Sequence, residues 1–358
     1  MNWLTCWATQ LMRRYAKPGL CDPGTVPGAD GMNGGRNMSV RRAVVAVAVA
    51  LSVAGYAGGL AANETITIGT GSSKGVYSTL GRAICAVIKA RRAGYDCKVA
   101  TTKGSIDNII GLKKGTFDIG IVQSDVQYHA VNGTGVFANV GALSEMRSMF
   151  SAHTEALSLL ARGDANIADW EHLAGSRLNI GKLKSGTNST LRLMIEAQGW
   201  ATKDFRAVTT MDLAQQQSAF CDGGIDVASF LAGHPNSAVT HLITKCGASL
   251  ITVKGAVVDR LIASNPYYVE AMIPRAIYFR MPTDTPTIGL LATVMTTAKS
   301  DSRMIYQVTR SVFENLGYIR SRTPSFGSLY ALEMARKGMT APRHPGALEY
   351  LREVGRVR

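Results

Sequence analysis

No heptad run, no internal repeat and no long low-complexity tract occurs in the 358 residues. Coiled coils, solenoids and disordered arrays are thereby excluded. Charged side chains make up only 18% of the chain and apolar ones 46%, an ordinary globular balance with enough apolar side chain for real cores. No basic helix with interleaved aromatics is present, although the net charge is +14. The positive residues are scattered, in pairs such as Arg91-Arg92 and Lys113-Lys114. That pattern is solvated surface, and no nucleic-acid partner is expected. The six histidines show no metal-ligand spacing, so neither a metal nor another cofactor is expected.

Long apolar stretches are scarce too, with one exception. Residues 38–62 read as a short positive region at Arg41-Arg42, an apolar core from Ala43 to Val53, and small residues up to Ala62. This is the layout of a secretory signal peptide, with cleavage expected after Ala61 or Ala62 and a periplasmic product. The uncharged stretch Ala43–Ala62 also meets the ~20-residue length of a membrane span, so a retained anchor is the alternative. Residues 1–37, with Pro18, Pro23 and Pro27 and no apolar periodicity, fit no signal. They are read as an over-extended reading frame starting before Met38, or as a disordered extension.

Past that segment four cysteines remain: Cys85, Cys97, Cys221 and Cys246. An even number in an exported chain suggests disulfides, and four allow three pairings. Sequence proximity favours Cys85 with Cys97 and Cys221 with Cys246. Four buried thiols are the alternative.

From residue 63 onward strand and helix patterns alternate. Thr65–Gly69, Lys98–Thr102 and Phe117–Val122 read as strands; Val76–Arg91 reads as an amphipathic helix, Ser105–Lys114 as a helix capped by Ser105, and another begins near Ser124. A second round follows. It has strands at Ala156–Ala161, Leu178–Gly181 and Ile225–Leu231, and helices at Thr187–Gln198 and Leu213–Cys221. A strand at Ile288–Thr293 and helices near Ser302–Leu316 and Leu329–Lys337 complete the chain. The alternation predicts parallel sheets with helices on their faces, in two α/β lobes. Residues 63–152 and 283–358 form the first lobe, and 153–282 the second.

Ligands of open parallel sheets bind at loops leaving the carboxyl ends of the strands. Three such loops stand out: Thr70-Gly-Ser-Ser-Lys-Gly75, Thr102-Lys-Gly-Ser105 and Lys182-Leu-Lys-Ser-Gly-Thr-Asn188. Each is rich in Gly and Ser, carries Lys, and runs into a helix start, where free N–H groups and the helix dipole favour an anion. Any one could be a plain turn with a capping hydroxyl; three together predict a shared cleft.

These stretches resemble the TAXI group of solute receptors that serve TRAP transporters. The resemblance lies in Gly69-Thr-Gly-Ser-Ser-Lys-Gly-Val-Tyr77, Thr101-Thr-Lys-Gly-Ser-Ile-Asp-Asn108, Val122-Gln-Ser-Asp-Val-Gln-Tyr128 with Asn132-Gly-Thr-Gly135, and Ser185-Gly-Thr187. It continues through Gly233-His-Pro-Asn236, Asn265-Pro-Tyr-Tyr268, Val312-Phe-Glu-Asn315 and His344-Pro-Gly-Ala347. It implies a type II periplasmic-binding-protein fold, a membrane permease of the TRAP type as partner, and a small organic anion, a dicarboxylate or glutamate, as ligand. Lys74, Lys103 and Lys184 depart from the family pattern, which has small or neutral residues there; the departure points towards negative charge in the ligand.

The expected chemistry is capture of carboxylates without a covalent step, by a monomer. Ser72, Ser73 and nearby N–H groups hold one anionic group; Ser185, Gly186, Thr187 and Asn188 hold another from the opposite lobe. Tyr77 offers a phenol donor or a flat wall, or else is a core tyrosine. Ser105 is a contact or only a helix cap. Gln123 and Ser124 leave the third strand at its carboxyl end, while Asp125 caps its own helix. His234 lies in a hinge or cleft loop, where packing is as good a role as contact. A rival reading takes Gly71-Ser-Ser73-Lys-Gly75 as the nucleophile elbow of an α/β-hydrolase, with Ser73 as nucleophile and His234 or His344 as base. Its weakness is position: no strand precedes it to build a hydrolase sheet. A dinucleotide loop at Gly69-x-Gly71 is disfavoured, because the next strand ends in Thr101-Thr102-Lys103 without the acidic residue that holds a ribose.

Overall fold

The computed structural model describes residues 64–358, apart from positions 74, 92, 93, 184 and 280. The chain divides into Met1–Ala61 and Ala62–Arg358, and the described residues belong to the second unit. The export segment, Lys74 and Lys184 lie outside the described residues. Among the described residues no helix is long and apolar enough to cross a membrane.

The first strands form as their β-branched patterns predict. β1 (Glu64–Gly69) pairs in parallel with β2 (Tyr95–Ala100) and with β3 (Ile119–Gln123). Helices α1 (Val76–Ala90) and α2 (Ser105–Lys114) are the crossovers, and α3 (Ser124–Asn132) follows β3 directly. The second round contains β5 (Arg177–Asn179), β6 (Ala207–Thr209) and β7 (Val227–Ala232), with β5 parallel to both others. Its helices are α4 (Gly186–Ala197), α5 (Leu213–Cys221), α6 (Ser237–Cys246) and α7 (Ala256–Ser264).

Two long strands join the rounds. β4 (Met146–Ala161) and β10 (Thr285–Thr297) pair antiparallel along their length, with β8 (Ser249–Leu250) and β9 (Val269–Ile273) at their sides. The sheet order is β2-β1-β3-β10-β4-β7-β5-β6. The sheet is therefore mixed, where the alternation of strands and helices predicts parallel pairing throughout. The reason is connectivity. β4 leaves the first lobe and β10 returns to it, so β10 runs against both β3 and β4, and β4 runs against β7. The expected lobe boundaries at 152/153 and 282/283 fall inside β4 and just before β10. A consequence matters for the site: β1 and β3 of one lobe and β5 and β7 of the other end towards the same gap.

Apolar packing is segregated accordingly. Ile66, Ile68, Ile84, Ile88 and Ile121 bury against Ile305, Val308 and Val312 of α8 (Ser302–Glu314), so the C-terminal segment packs on the first lobe. Leu157, Trp170, Leu178, Leu191, Val227 and Leu290 form the core of the second. Each such side chain contributes roughly 1.5–3 kcal/mol when fully buried. Both cysteine pairs are bonded. Cys85 of α1 joins Cys97 of β2, and Cys221 and Cys246 join the C-terminal ends of α5 and α6.

Candidate functional site

The gap between the lobes is a cleft of about 930 Å³. This is the size of small-molecule sites. A second cavity, between Ser151, Glu270, Glu333 and Lys337, holds only about 80 Å³, room for a few waters.

The first-lobe wall is built around Asn108. Its buried amide donates to the carbonyls of Thr70 (2.6 Å) and Ile121 (2.7 Å), tying the carboxyl end of β3 to the loop after β1. Thr102 Oγ1 lies 2.9 Å from Asn108 Oδ1 and accepts the Gly104 N–H, which fixes the loop Thr102–Ser105. Gly104 has φ 121°, a conformation open to glycine and strained for other residues. Helices α1 and α2 start at Gly75 and Gly104, and neither start has a side-chain cap. Their orphan N–H groups face the cleft beside Ser72, Tyr77, Lys103 and Ser105, all of which line it.

On the second-lobe wall Ser185 and Gly186 line the cleft, but Ser185 Oγ is engaged as a cap, accepting from the Asn188 N–H. Gly186 permits a close approach: a Cβ there would sit 2.2 Å from Gln123 Oε1, so Gln123 reaches across from β3 onto the start of α4. Gln123 Nε2 in turn donates to Glu155 Oε2 on β4.

Other residues read as contacts lie elsewhere. Ser73 is exposed and does not line the cleft. Ser124 is buried, its hydroxyl donating to the Tyr267 carbonyl and accepting the Leu291 N–H. Thr187 Oγ1 accepts the Leu231 N–H, binding α4 to β7. The Asn188 amide donates to the Gly181 carbonyl. His234 is held behind the wall by Ser158 Oγ (3.1 Å) and the Tyr278 hydroxyl (2.5 Å), and burial pushes its pKa down to about 4. Its neighbours Gly233 and Pro235 line the cleft instead.

The elbow reading loses its base on the same grounds. The nitrogens of the His234 ring are occupied as described. His344 Nδ1 accepts the Gly346 N–H, and its Nε2 bonds the Ser300 carbonyl. Neither imidazole is left to take a proton from Ser73.

The floor holds Glu155, which the sequence pattern did not single out, and Asp125, which it assigned only to capping its own helix. Glu155 and Asp125 are both 5% exposed and both line the cleft. Asp125 Oδ1 accepts the N–H of Val126 in its own helix. Burial, and after it the negative charge of Glu155, push the Asp125 carboxyl up to about 7 despite that hydrogen bond. Burial and Glu155 also raise the Tyr77 hydroxyl well above its ordinary value. That hydroxyl sits beside Ser105 and Glu155 and completes a hydrogen bond with neither. His153 is 1% exposed, edge-on to Tyr77, and both its ring nitrogens lack hydrogen bonds; buried Ser325 Oγ lacks one too. The one available sequence signal was a His and a Glu inside an apolar run, His153-Thr-Glu155-Ala-Leu.

A family model described as NMT1-like matches residues 68–355, nearly all of the described chain. Among solved structures, MatC from Rhodopseudomonas palustris with bound malate is similar at 13% identity over 82% of this chain and 97% of that chain, with a TM-score of 0.53. The periplasmic aliphatic sulphonate-binding protein SsuA from Escherichia coli is 12% identical over 74% of this chain and 77% of its own, with a TM-score of 0.47. The likeness to MatC is one of fold, an α/β architecture in two lobes.

Proposed function

Because the chain belongs to the NMT1-like family, we propose that it is an extracytoplasmic solute receptor whose lobes close over a small organic acid and deliver it to a membrane permease of the TRAP type. The observation that carries this reading is the pair of uncapped helix starts at Gly75 and Gly104, opening on a cleft between two lobes. Each start presents unpaired N–H groups and the positive end of a helix dipole, a ready site for a carboxylate. Lys103, next to Gly104 in the chain, is on the lining. Capture without chemistry fits the occupied ring nitrogens of His234 and His344, the two bases an elbow at Ser73 would call on. MatC, of the same fold, was solved with malate, which fits a carboxylate solute here. The signal-like layout of residues 38–62 fits work outside the cytoplasm.

Thermal-shift screening of organic acids tests the reading. A ligand at 100 times its dissociation constant stabilises by roughly 2.7 kcal/mol, a readily visible shift. At least one mono- or dicarboxylate is expected to produce it. Lys103→Ala is expected to weaken that ligand about tenfold, the order of one lost charged hydrogen bond, while leaving the unliganded melting temperature nearly unchanged. A screen in which only neutral or cationic compounds shift the transition contradicts the reading.

A further inference from the structure

We propose that Asp125 and Glu155 form an ammonium subsite at the floor of the cleft, so that the solute is a zwitterion carrying an amine as well as an acid group. This rests on the reading of the cleft as an organic-acid receptor and narrows it.

Two carboxylates are buried in one cavity wall. Among the described residues neither pairs with a lysine or arginine; the nearest ionisable partner is His153, whose Nε2 is 3.6 Å from Glu155 Oε1. Buried carboxylates without a cation are costly, and the cost falls when a ligand brings the cation. Neighbouring polar groups are equally incomplete. Tyr77 Oη, both nitrogens of His153 and Ser325 Oγ are buried with no hydrogen-bond partner. Native structures seldom leave such groups unpaired, and Tyr77 and Ser325 are on the cleft lining, which marks where ligand atoms go. The uncapped starts of α1 and α2 supply donors for an acid group along the first-lobe wall. The floor supplies the opposite sign. A diacid lacking an amine must place negative charge next to Asp125 and Glu155, whereas an amino acid places its ammonium there. The burial and mutual repulsion that raise Asp125 agree with this, because a nearby ammonium relieves both.

Calorimetric titration of the unmodified protein with matched sets is the test. One set is L-aspartate, succinate and 1,4-diaminobutane; the other is L-glutamate, glutarate and 1,5-diaminopentane. The amino diacid of at least one set is expected to bind about tenfold or more tighter than its amine-free partner. Glu155→Gln is expected to erase that margin and leave the affinity for the diacid unchanged or improved. A diacid that binds the unmodified protein as tightly as its amino counterpart overturns the ammonium subsite and leaves the organic-acid reading standing. Binding of the diamines alone overturns the organic-acid reading. Binding of none of the six overturns both.

Discussion

Replacing Asp125 by Asn raises the melting temperature of the ligand-free protein at pH 8 by roughly 5 °C, and the gain disappears by about pH 4. The folded protein holds this carboxyl at about 7 against an ordinary 3.8. The group's folded value lies above its unfolded one, so the native state binds the proton more tightly. Stability is greatest below the unfolded value and falls as pH rises from about 4 to about 7. Above that window the ionised group costs at most about 4 kcal/mol. Among the described residues no lysine or arginine pairs with it; around it lie Glu155 on β4, Tyr77 on α1, Tyr267 and Tyr268 before β9, and His129 one turn on in α3. Only the Val126 N–H favours the ionised form among neighbouring residues, and an Asn oxygen can still accept it. Unfolding curves of the parent and Asp125→Asn between pH 4 and 8 decide the matter. A constant difference across that range, or none, shows that Asp125 is not held in this way.

The larger effect on stability belongs to the disulfides. Cys85–Cys97 closes a loop with a sequence separation of 12, and Cys221–Cys246 one of 25. Restricting the unfolded chain by such loops is worth about 3 kcal/mol each in the chain-entropy account. Losing both lowers the melting temperature by roughly 10 °C at the slopes usual for domains of this size. Scanning calorimetry with and without reductant, and of the paired Cys→Ser variants, measures it. The two bonds lie in different lobes, so their effects are expected to add. An unchanged transition on reduction would show that the sulfurs only fill space.

Much of the first lobe was legible because local signals there agree. The β-branched run of β1, the apolar stripe of α1 and the Gly/Ser loops all point to one answer. The first half of β4 was not legible. Met146 to Thr154 mixes Arg147, Ser148, Ser151 and His153 with apolar residues, yet Ser148 and Ser151 are buried. Their hydroxyls are satisfied far along the chain, by the carbonyls of Ala341 and Met334. A strand whose polar groups find tertiary partners carries no alternating pattern to read. The loops forming the cleft rim were legible for the opposite reason, since glycine and hydroxyl side chains before a helix have a local meaning. Which side chains then face the ligand was not. Thr187 and Asn188 look like contacts in sequence but turn inward to hold α4 in place. Glu155 meets Gln123, and Asp125 feels its charge, only because β4 passes beside β10 and brings the floor together.

Crystals grown with the tightest acid from the screen measure the central claim most directly. The account predicts ligand density between the helix starts at Gly75 and Gly104 on one wall and Gly186 on the other, with its amine against Glu155. Density for the acid anywhere outside the cleft, with the cleft holding only water, contradicts it.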